Sequence, residues 1–104
     1  MSRNFVLTPD AEADAVGIWE RFADDDAESA ADRVLARIYD ECQKLGAMPG
    51  LGHYRENLLD QQYKFWNVWS YLIADRWQVT PIQIVAIVYG ARDLNSFFGR
   101  RLRQ

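Results

Sequence analysis

Hydrophobic residues change their spacing once along the chain, close to residue 63. Before that point they recur every three or four positions in two segments, 11–22 and 31–45. This spacing predicts two amphipathic helices, each with one apolar side. The short acidic stretch ADDDAES separates them, so we expect an antiparallel helical hairpin. A short apolar run, NFVL, precedes the first helix and is interpreted as a strand.

The ends of the two helices carry their own signals. Thr8 can accept a hydrogen bond from the first turn through its hydroxyl, and Pro9 suits the first helical position, where its missing N–H has no partner anyway. Gly46 is expected to end the second helix, since glycine adopts the left-handed conformation after a helix at little cost. The loop AMPGLGHYRENL then leads out of the hairpin.

From residue 63 onward the spacing of apolar residues becomes two, which predicts strands. Three runs rich in aromatic and β-branched residues, YKFWNVWS, YLIADRW and IQIVAIVYG, are separated by short turns, the first at Ser70. Their order predicts an antiparallel meander. The last run is apolar on both faces, with positions 82, 84, 86 and 88 on one face and 85 and 87 on the other. We therefore expect it to be a central strand that is covered on both sides.

The remaining segment is predicted to form a short helix with Asp93 as its cap. The complete order is β-α-α-β-β-β-α, and a length of 104 residues suits one domain spanning 1–104. We therefore predict an α+β fold. In it an N-terminal helical hairpin packs on a small curved antiparallel sheet, and a short C-terminal helix follows.

Composition excludes several classes of protein. Hydrophobic residues make up 49% of the chain and charged residues 26%, as in ordinary soluble domains. No apolar run reaches the roughly 20 residues of a membrane span, and the N-terminus lacks a signal-peptide core, so we expect a cytoplasmic protein without membrane contact. Cys42 is the single cysteine, and its helical position predicts burial. No sequence motif for a metal or a cofactor is present, so neither is expected.

The net charge of −3 conceals an uneven distribution. Residues 1–60 carry a net charge of −7, whereas residues 61–104 carry +4. The acidic half can be explained as the solvated face of a helix pair. The basic end could instead meet an acidic partner or a nucleic acid. The acidic total argues against a dedicated nucleic-acid-binding domain.

Few residues are candidates for catalysis. The chain has no P-loop, no G-x-G-x-x-G and no H-E-x-x-H. Its one histidine, His53, lies in a polar loop, where a histidine is usually solvated. An enzyme built from this chain would have to use arginine, lysine and tyrosine. Such a set would suit phosphodiester cleavage, in which cations stabilise the developing charge on the phosphate.

The stretch AIVYGARDLNSFF places Arg92 and Asp93 side by side after the last strand. Arg92 can be a structural ion-pairing group or a functional group at the rim of the sheet. Further arginines, together with tryptophans on adjacent strands, could form a cationic and aromatic surface. The residues predicted to bind a partner are Trp66, Trp69, Arg76, Trp77, Arg92, Arg100 and Arg101.

Three stretches together resemble the ParE branch of the RelE/ParE toxin superfamily of type II toxin–antitoxin modules. They are LTPDAEADAVGIWERFA, AADRVLARIYDECQKLGAMPGLGHYRENL and VYGARDL, and the resemblance extends from Phe5 to Phe98. It implies the same fold that the periodicity predicts. It also implies a growth-inhibiting toxin that forms a hetero-oligomer with a ParD-like antitoxin, whose C-terminal segment folds on the toxin.

The superfamily contains two activities, and the resemblance distinguishes them by position. RelE-like members cut mRNA in the ribosome with basic residues and often a C-terminal tyrosine. ParE-like members poison DNA gyrase. Arg92 matches the arginine that follows the last strand in both branches. However, Phe98 lies near the position of the RelE-like tyrosine, and Leu72 lies at the position of a RelE-like arginine. The ParE-like activity is therefore favoured.

The alternative is an endonuclease of the RelE type. Its candidate catalytic residues would be Arg92, Lys64, and Tyr89 or His53. Tyr89 also departs from the common ParE pattern, which often has a histidine before GARD. The tryptophan-rich stretch KFWNVWSYLIADRW departs from it as well. These differences concern the sheet surface and therefore the choice of target.

Overall fold

A computed structural model of the chain describes residues 4–25, 27–54, 63–90 and 94–101. Within these ranges the chain forms four strands and three helices in the predicted order. They are β1 (Phe5–Leu7), α1 (Pro9–Asp25), α2 (Glu28–Ala47), β2 (Lys64–Val68), β3 (Tyr71–Arg76), β4 (Ile82–Tyr89) and α3 (Leu94–Arg101). The predicted α+β fold, with its helical hairpin followed by a meander and a short helix, is confirmed.

The strands form one sheet in the order β1-β4-β3-β2. β2, β3 and β4 form the predicted antiparallel meander. β1 adds to the other side of β4 in parallel, pairing Phe5 with Ile82 and Leu7 with Ile84. The parallel pairing is possible because the helical hairpin carries the chain away from β1 before it enters the meander. β4 therefore occupies the central position that its two apolar faces predict.

The predicted faces of β4 are confirmed as far as Val85 and wrong beyond it, because a β-bulge interrupts the alternation. Ala74 lies opposite Ala86, whereas the next residue of β3, Asp75, lies opposite Ile84. Val85 is therefore an additional residue, and the side chains that follow it change faces. The side that packs on the helical hairpin carries Ile82, Ile84 and Ile87, and the opposite side carries Val85, Ala86 and Val88.

Apolar side chains cover both faces of the sheet. The larger cluster lies between the sheet and the helical hairpin and includes Cys42, whose predicted burial is confirmed. The smaller cluster lies on the other face, where Phe98 of α3 meets the ring of Phe65 edge-on at a centroid distance of 5.2 Å. Leu72 is buried in this second cluster. α3 thus closes the face of the sheet that the helical hairpin leaves open.

Thr8 and Gly46 contribute to the helices in different ways. The predicted cap is confirmed, because the N–H of Ala11 donates to the Thr8 hydroxyl at 3.2 Å. The predicted helix end at Gly46 is wrong, since α2 continues to Ala47. A Cβ atom at position 46 would overlap with the backbone of Asn4. Gly46 therefore permits close contact between α2 and the chain that enters β1.

Replacing Gly46 with alanine should destabilise the protein, although alanine is the better helix former. The clash with the Asn4 backbone should cost about 1–3 kcal/mol, which exceeds the propensity gain of about 1 kcal/mol. Gly17→Ala is the matched control, because nothing lies within 4 Å of the added Cβ. Chemical denaturation should show that Gly17→Ala stabilises and Gly46→Ala destabilises. Equal effects of the two substitutions would contradict the close contact.

Candidate partner-binding surface

The residues predicted for nuclease chemistry lie at opposite ends of the sheet. Lys64 begins β2, and His53 lies beside it, because its backbone pairs with that of Phe65. Tyr89 ends β4, at the other end of the sheet, where it lies opposite Tyr71. Arg92, and Asp93 with it, lie outside the described residues. The described members of this set are therefore not gathered into one site.

Lys64 makes its contacts within the fold. Its ammonium donates to the carbonyl of Gly50 at 3.0 Å. It also lies over the rings of Tyr54 and Trp77, at 5.0 and 4.5 Å from their centroids. These cation–π contacts and the hydrogen bond attach the loop after α2 to the start of β2. Trp77 is half-buried in this arrangement.

A buried carboxylate lies opposite Lys64 on the neighbouring strand. Asp75 pairs with Lys64 in the register of β2 and β3, and its side chain is only 2% exposed. One of its oxygens, Oδ1, has no hydrogen-bond partner among the described residues. Burial raises the pKa of Asp75 to about 6, against the opposing charge of Lys64. The ionised form of this side chain therefore destabilises the fold.

Trp66 connects β2 to α2. Its indole N–H donates to Oε1 of Glu41 at 2.9 Å, while Lys44 lies 3.1 Å from the other oxygen. The hydrogen bond from Trp66 is the main cause that lowers the pKa of Glu41; burial opposes it and Lys44 adds to it. The ring of His53 stacks on that of Trp66 at 6.0 Å. Of the predicted tryptophans, Trp66 is thus a structural link.

Arg101 is held by ion pairs within the protein. Its guanidinium forms a bidentate pair with Asp14, with N–O distances of 3.0 and 3.2 Å. It also donates to the carbonyl of Val85 at 3.0 Å, and its side chain is 17% exposed. Arg76 and Arg100, by contrast, are exposed. Their role in partner binding stays a prediction.

Trp69 differs from the other tryptophans, because it is exposed and its backbone is strained. It lies in the two-residue turn between β2 and β3, with φ of 54° and 61% of its surface exposed. A bulky residue in this left-handed region costs about 1 kcal/mol relative to its ordinary conformations. The guanidinium of Arg37 lies over its ring at 5.6 Å. The turn itself would be more stable with glycine or asparagine at this position.

Tyr89 lies close to Trp69 and is 44% exposed. The guanidinium of Arg21 lies over its ring at 5.7 Å, and the ring of Tyr71 meets it edge-on at 6.0 Å. Burial raises the pKa of Tyr71, and the charge of Arg21 opposes that rise. A hollow of about 420 Å³ opens between these side chains. We call it the Trp69 groove, and its lining includes Arg21, Phe22, Val34, Trp69, Tyr71 and Tyr89.

Sequence reasoning identified two of these residues and missed the others. Trp69 was predicted to bind a partner and Tyr89 was a candidate for chemistry. Phe22 and Val34 lie in the two segments that are predicted as amphipathic helices, 11–22 and 31–45. No local pattern connects Arg21 with Tyr89, because 68 positions separate them. The sequence gives no separate signal for Phe22 and Val34, because they lie at apolar positions typical of a core, and only the structure shows that they are half-buried.

None of the described helices has the length and hydrophobicity needed to cross a lipid bilayer. Among the residues that the structure describes, no group of three or more His, Cys, Asp or Glu side chains is arranged to hold a metal ion.

The fold defines a small α+β protein with an exposed aromatic groove, and comparison with known proteins identifies the family. The model of the family "ParE toxin of type II toxin-antitoxin system, parDE" matches residues 5–94. This chain therefore belongs to the ParE toxin family, as the resemblance indicated.

A solved structure shares the fold. It is described as "Chromosomal ParDE TA system from P. aeruginosa", and the two chains are 18% identical with a TM-score of 0.69. The match covers 84% of this chain and 95% of the other. No curated protein sequence matches the chain.

Loss of the Asp14 carboxylate should destabilise the fold markedly. Asp14→Asn would leave the largely buried Arg101 guanidinium without its bidentate partner, at a cost of about 2–3 kcal/mol. Asp10→Asn is the control, because Asp10 is 50% exposed and lies 3.6 Å from Arg101. That substitution should cost less than about 1 kcal/mol. Urea denaturation of both variants checks the difference, and equal losses would contradict the role of Asp14.

Removing the charge of Asp75 should stabilise the protein at neutral pH. The carboxyl ionises near 3.8 when unfolded and near 6 when folded, so the folded state binds more protons between these values. Stability should therefore fall as pH rises from about 4 to about 6, and at pH 7 the loss should reach about 3 kcal/mol. The free energy of unfolding of Asp75→Asn should not fall over this pH range.

The measurement is the free energy of unfolding of both proteins from pH 4 to pH 8. Asp40→Asn, which removes an exposed carboxylate from α2, is the control and should follow the wild type. A gain from Asp75→Asn that does not shrink at low pH would show that burial of the charge is not the cause.

Proposed function

We propose that this chain inhibits growth by binding and poisoning DNA gyrase, and that a small cognate antitoxin neutralises it by folding on its surface. The main support is the ParE family match over residues 5–94. The exposed, cation-flanked aromatic residues around Trp69 support a function based on protein binding, because exposed aromatic patches of this kind are typical of interfaces.

The face of the sheet that α3 covers also favours the ParE-like activity over the RelE-like one. Phe98 is 2% exposed and Leu72 is 1% exposed, and both belong to the same apolar cluster. These are the positions at which the resemblance would place a nuclease tyrosine and arginine. Neither side chain can transfer a proton or stabilise a phosphate. Lys64 supports the same proposal, since its ammonium is engaged with Gly50.

The partner set of the proposal is a ParD-like antitoxin and gyrase, with a toxin–antitoxin hetero-oligomer in the cytoplasm as the resting form. Arg76 and Arg100 are exposed and could take part in either contact. Arg92 follows the last strand in the sequence and is proposed as a contact residue on the basis of the family pattern alone.

Controlled expression tests the proposal. The chain is expressed from an inducible promoter, with and without the short gene expected beside it. We expect growth arrest and DNA damage without the neighbour, and normal growth with it. Purified protein should inhibit supercoiling by gyrase. The absence of toxicity would contradict the proposal as a whole.

A second outcome would replace gyrase with the ribosome. Ribosome-dependent mRNA cuts that disappear in Arg92→Ala would support the RelE-type endonuclease instead. Phe98→Leu is the matched control, because it keeps an apolar side chain at the position where a nuclease would need a tyrosine hydroxyl. Under the gyrase proposal this variant should retain toxicity in proportion to the amount of folded protein.

A further inference from the structure

We propose that the Trp69 groove binds an acidic segment of the cognate antitoxin, with Arg21 and Arg37 each binding a carboxylate while they remain over the rings of Tyr89 and Trp69. This inference rests on the proposed function and specifies the surface at which neutralisation takes place. The surface is formed by residues that the structure brings together from the β2–β3 turn, the end of β4 and the two helices α1 and α2.

The strained turn indicates that the Trp69 side chain serves something other than the fold. The φ of 54° is a conformation that glycine and asparagine adopt more readily than tryptophan. The side chain gains little burial in return, because 61% of it is exposed. A strained backbone that presents an exposed aromatic ring is typical of a binding site. The ring therefore meets something that is not part of this chain.

The two arginines have hydrogen-bonding capacity to spare. A guanidinium that lies over an aromatic ring still has N–H donors that the ring does not occupy. Arg37 approaches Glu41 only to 3.9 Å, and Glu41 is already bound by Trp66 and Lys44. No ion pair of Arg21 is found among the described side chains. Carboxylates and phosphates are the groups that such donors bind most strongly, and a peptide supplies carboxylates.

The groove has room for several residues of a partner. Its apolar lining includes Phe22, Val34 and Tyr71. A second hollow of about 490 Å³ follows α1 past Gly17 and shares Arg21, Tyr71 and Tyr89 with the first. The two hollows are therefore adjacent, and an occupant that reaches both is a segment of chain with apolar as well as acidic side chains.

The small number of cations at the groove favours a short acidic segment over a nucleic acid. The helices that form one wall of the groove belong to the half of the chain with a net charge of −7. A phosphate backbone would require many cations along its path, whereas the groove offers two. A flexible acidic segment places a few carboxylates at the two arginines and directs the rest of its length away from the acidic helices.

The test measures binding of a defined peptide by fluorescence anisotropy. The probe is a labelled synthetic peptide that spans the C-terminal half of the antitoxin, the small protein expected to be encoded beside this chain. The double variant Arg21→Gln/Arg37→Gln should weaken binding by at least about tenfold. Arg33→Gln is the matched control, because Arg33 is exposed on the same helix as Arg37 and no aromatic contact of it is found among the described residues. It should change the Kd by less than about twofold.

Trp69→Asn separates binding from folding. Because asparagine tolerates the left-handed conformation, this variant should melt at the same temperature as the wild type or higher. It should nevertheless bind the peptide about tenfold more weakly. A lower melting temperature with unchanged affinity would overturn the inference and make Trp69 a structural residue.

A second peptide, in which the acidic residues are replaced by their amides, completes a double-mutant cycle with the arginine variant. It should lose affinity for the wild type and show no further loss with the double variant, since both changes remove the same interaction. Equal affinity of both peptides for wild type and double variant would overturn the inference while leaving the proposed function intact.

Two other outcomes would also overturn it. A dimer of the wild type that dissociates in Trp69→Asn would show that a second copy occupies the groove, and binding of duplex DNA that depends on Arg21 and Arg37 would show a nucleic-acid site. Failure of the peptide to bind the wild type, together with absence of toxicity, would instead contradict the proposed function itself.

Discussion

The fold depends on the ion pair between Asp14 and Arg101, because this pair completes the edge of the central strand. β1 accompanies β4 only as far as Ile84. Beyond that point Asp14 accepts a hydrogen bond from the N–H of Ile87 at 3.0 Å, and Arg101 donates to the carbonyl of Val85. Side chains therefore satisfy the backbone groups that a longer β1 would have bound. The same pair joins α1 to α3, which belong to opposite faces of the sheet.

The attachment of α3 has consequences for the chemistry of the sheet. Arg101 is the last described residue of α3, and one turn before it Phe98 packs on Phe65 over the second face. That face is then apolar and covered, whereas an enzyme acting on RNA would need cations and water access there. The two ends of the sheet differ as well. At the Lys64 end the cation and the rings contact one another within the fold, whereas at the Trp69 end they border an open groove.

Three local features shape the sheet and its rim: the bulge at Val85, the strained turn at Trp69 and the ion pair between Asp14 and Arg101. The bulge at Val85 moves Ala86 and Val88 to the side of α3, and Ile87 to the side of the hairpin. The turn at Trp69 holds a large ring in a conformation that the turn alone does not favour. Both features lie close to the groove or to the edge that Asp14 completes.

The sequence by itself determined the elements, their order and the α+β class, because amphipathic periods of 3.6 and 2 are local properties of the chain. It also determined the Thr8 cap and the burial of Cys42, and the resemblance carried by its motifs identified the toxin family. Only the tertiary structure decided the face change at Val85, the close contact at Gly46 and the pairing of Asp14 with Arg101. It also brought Arg21 and Arg37 onto Tyr89 and Trp69. These features depend on residues far apart in the chain, and side-chain contacts over such separations leave no periodic signal in a single sequence.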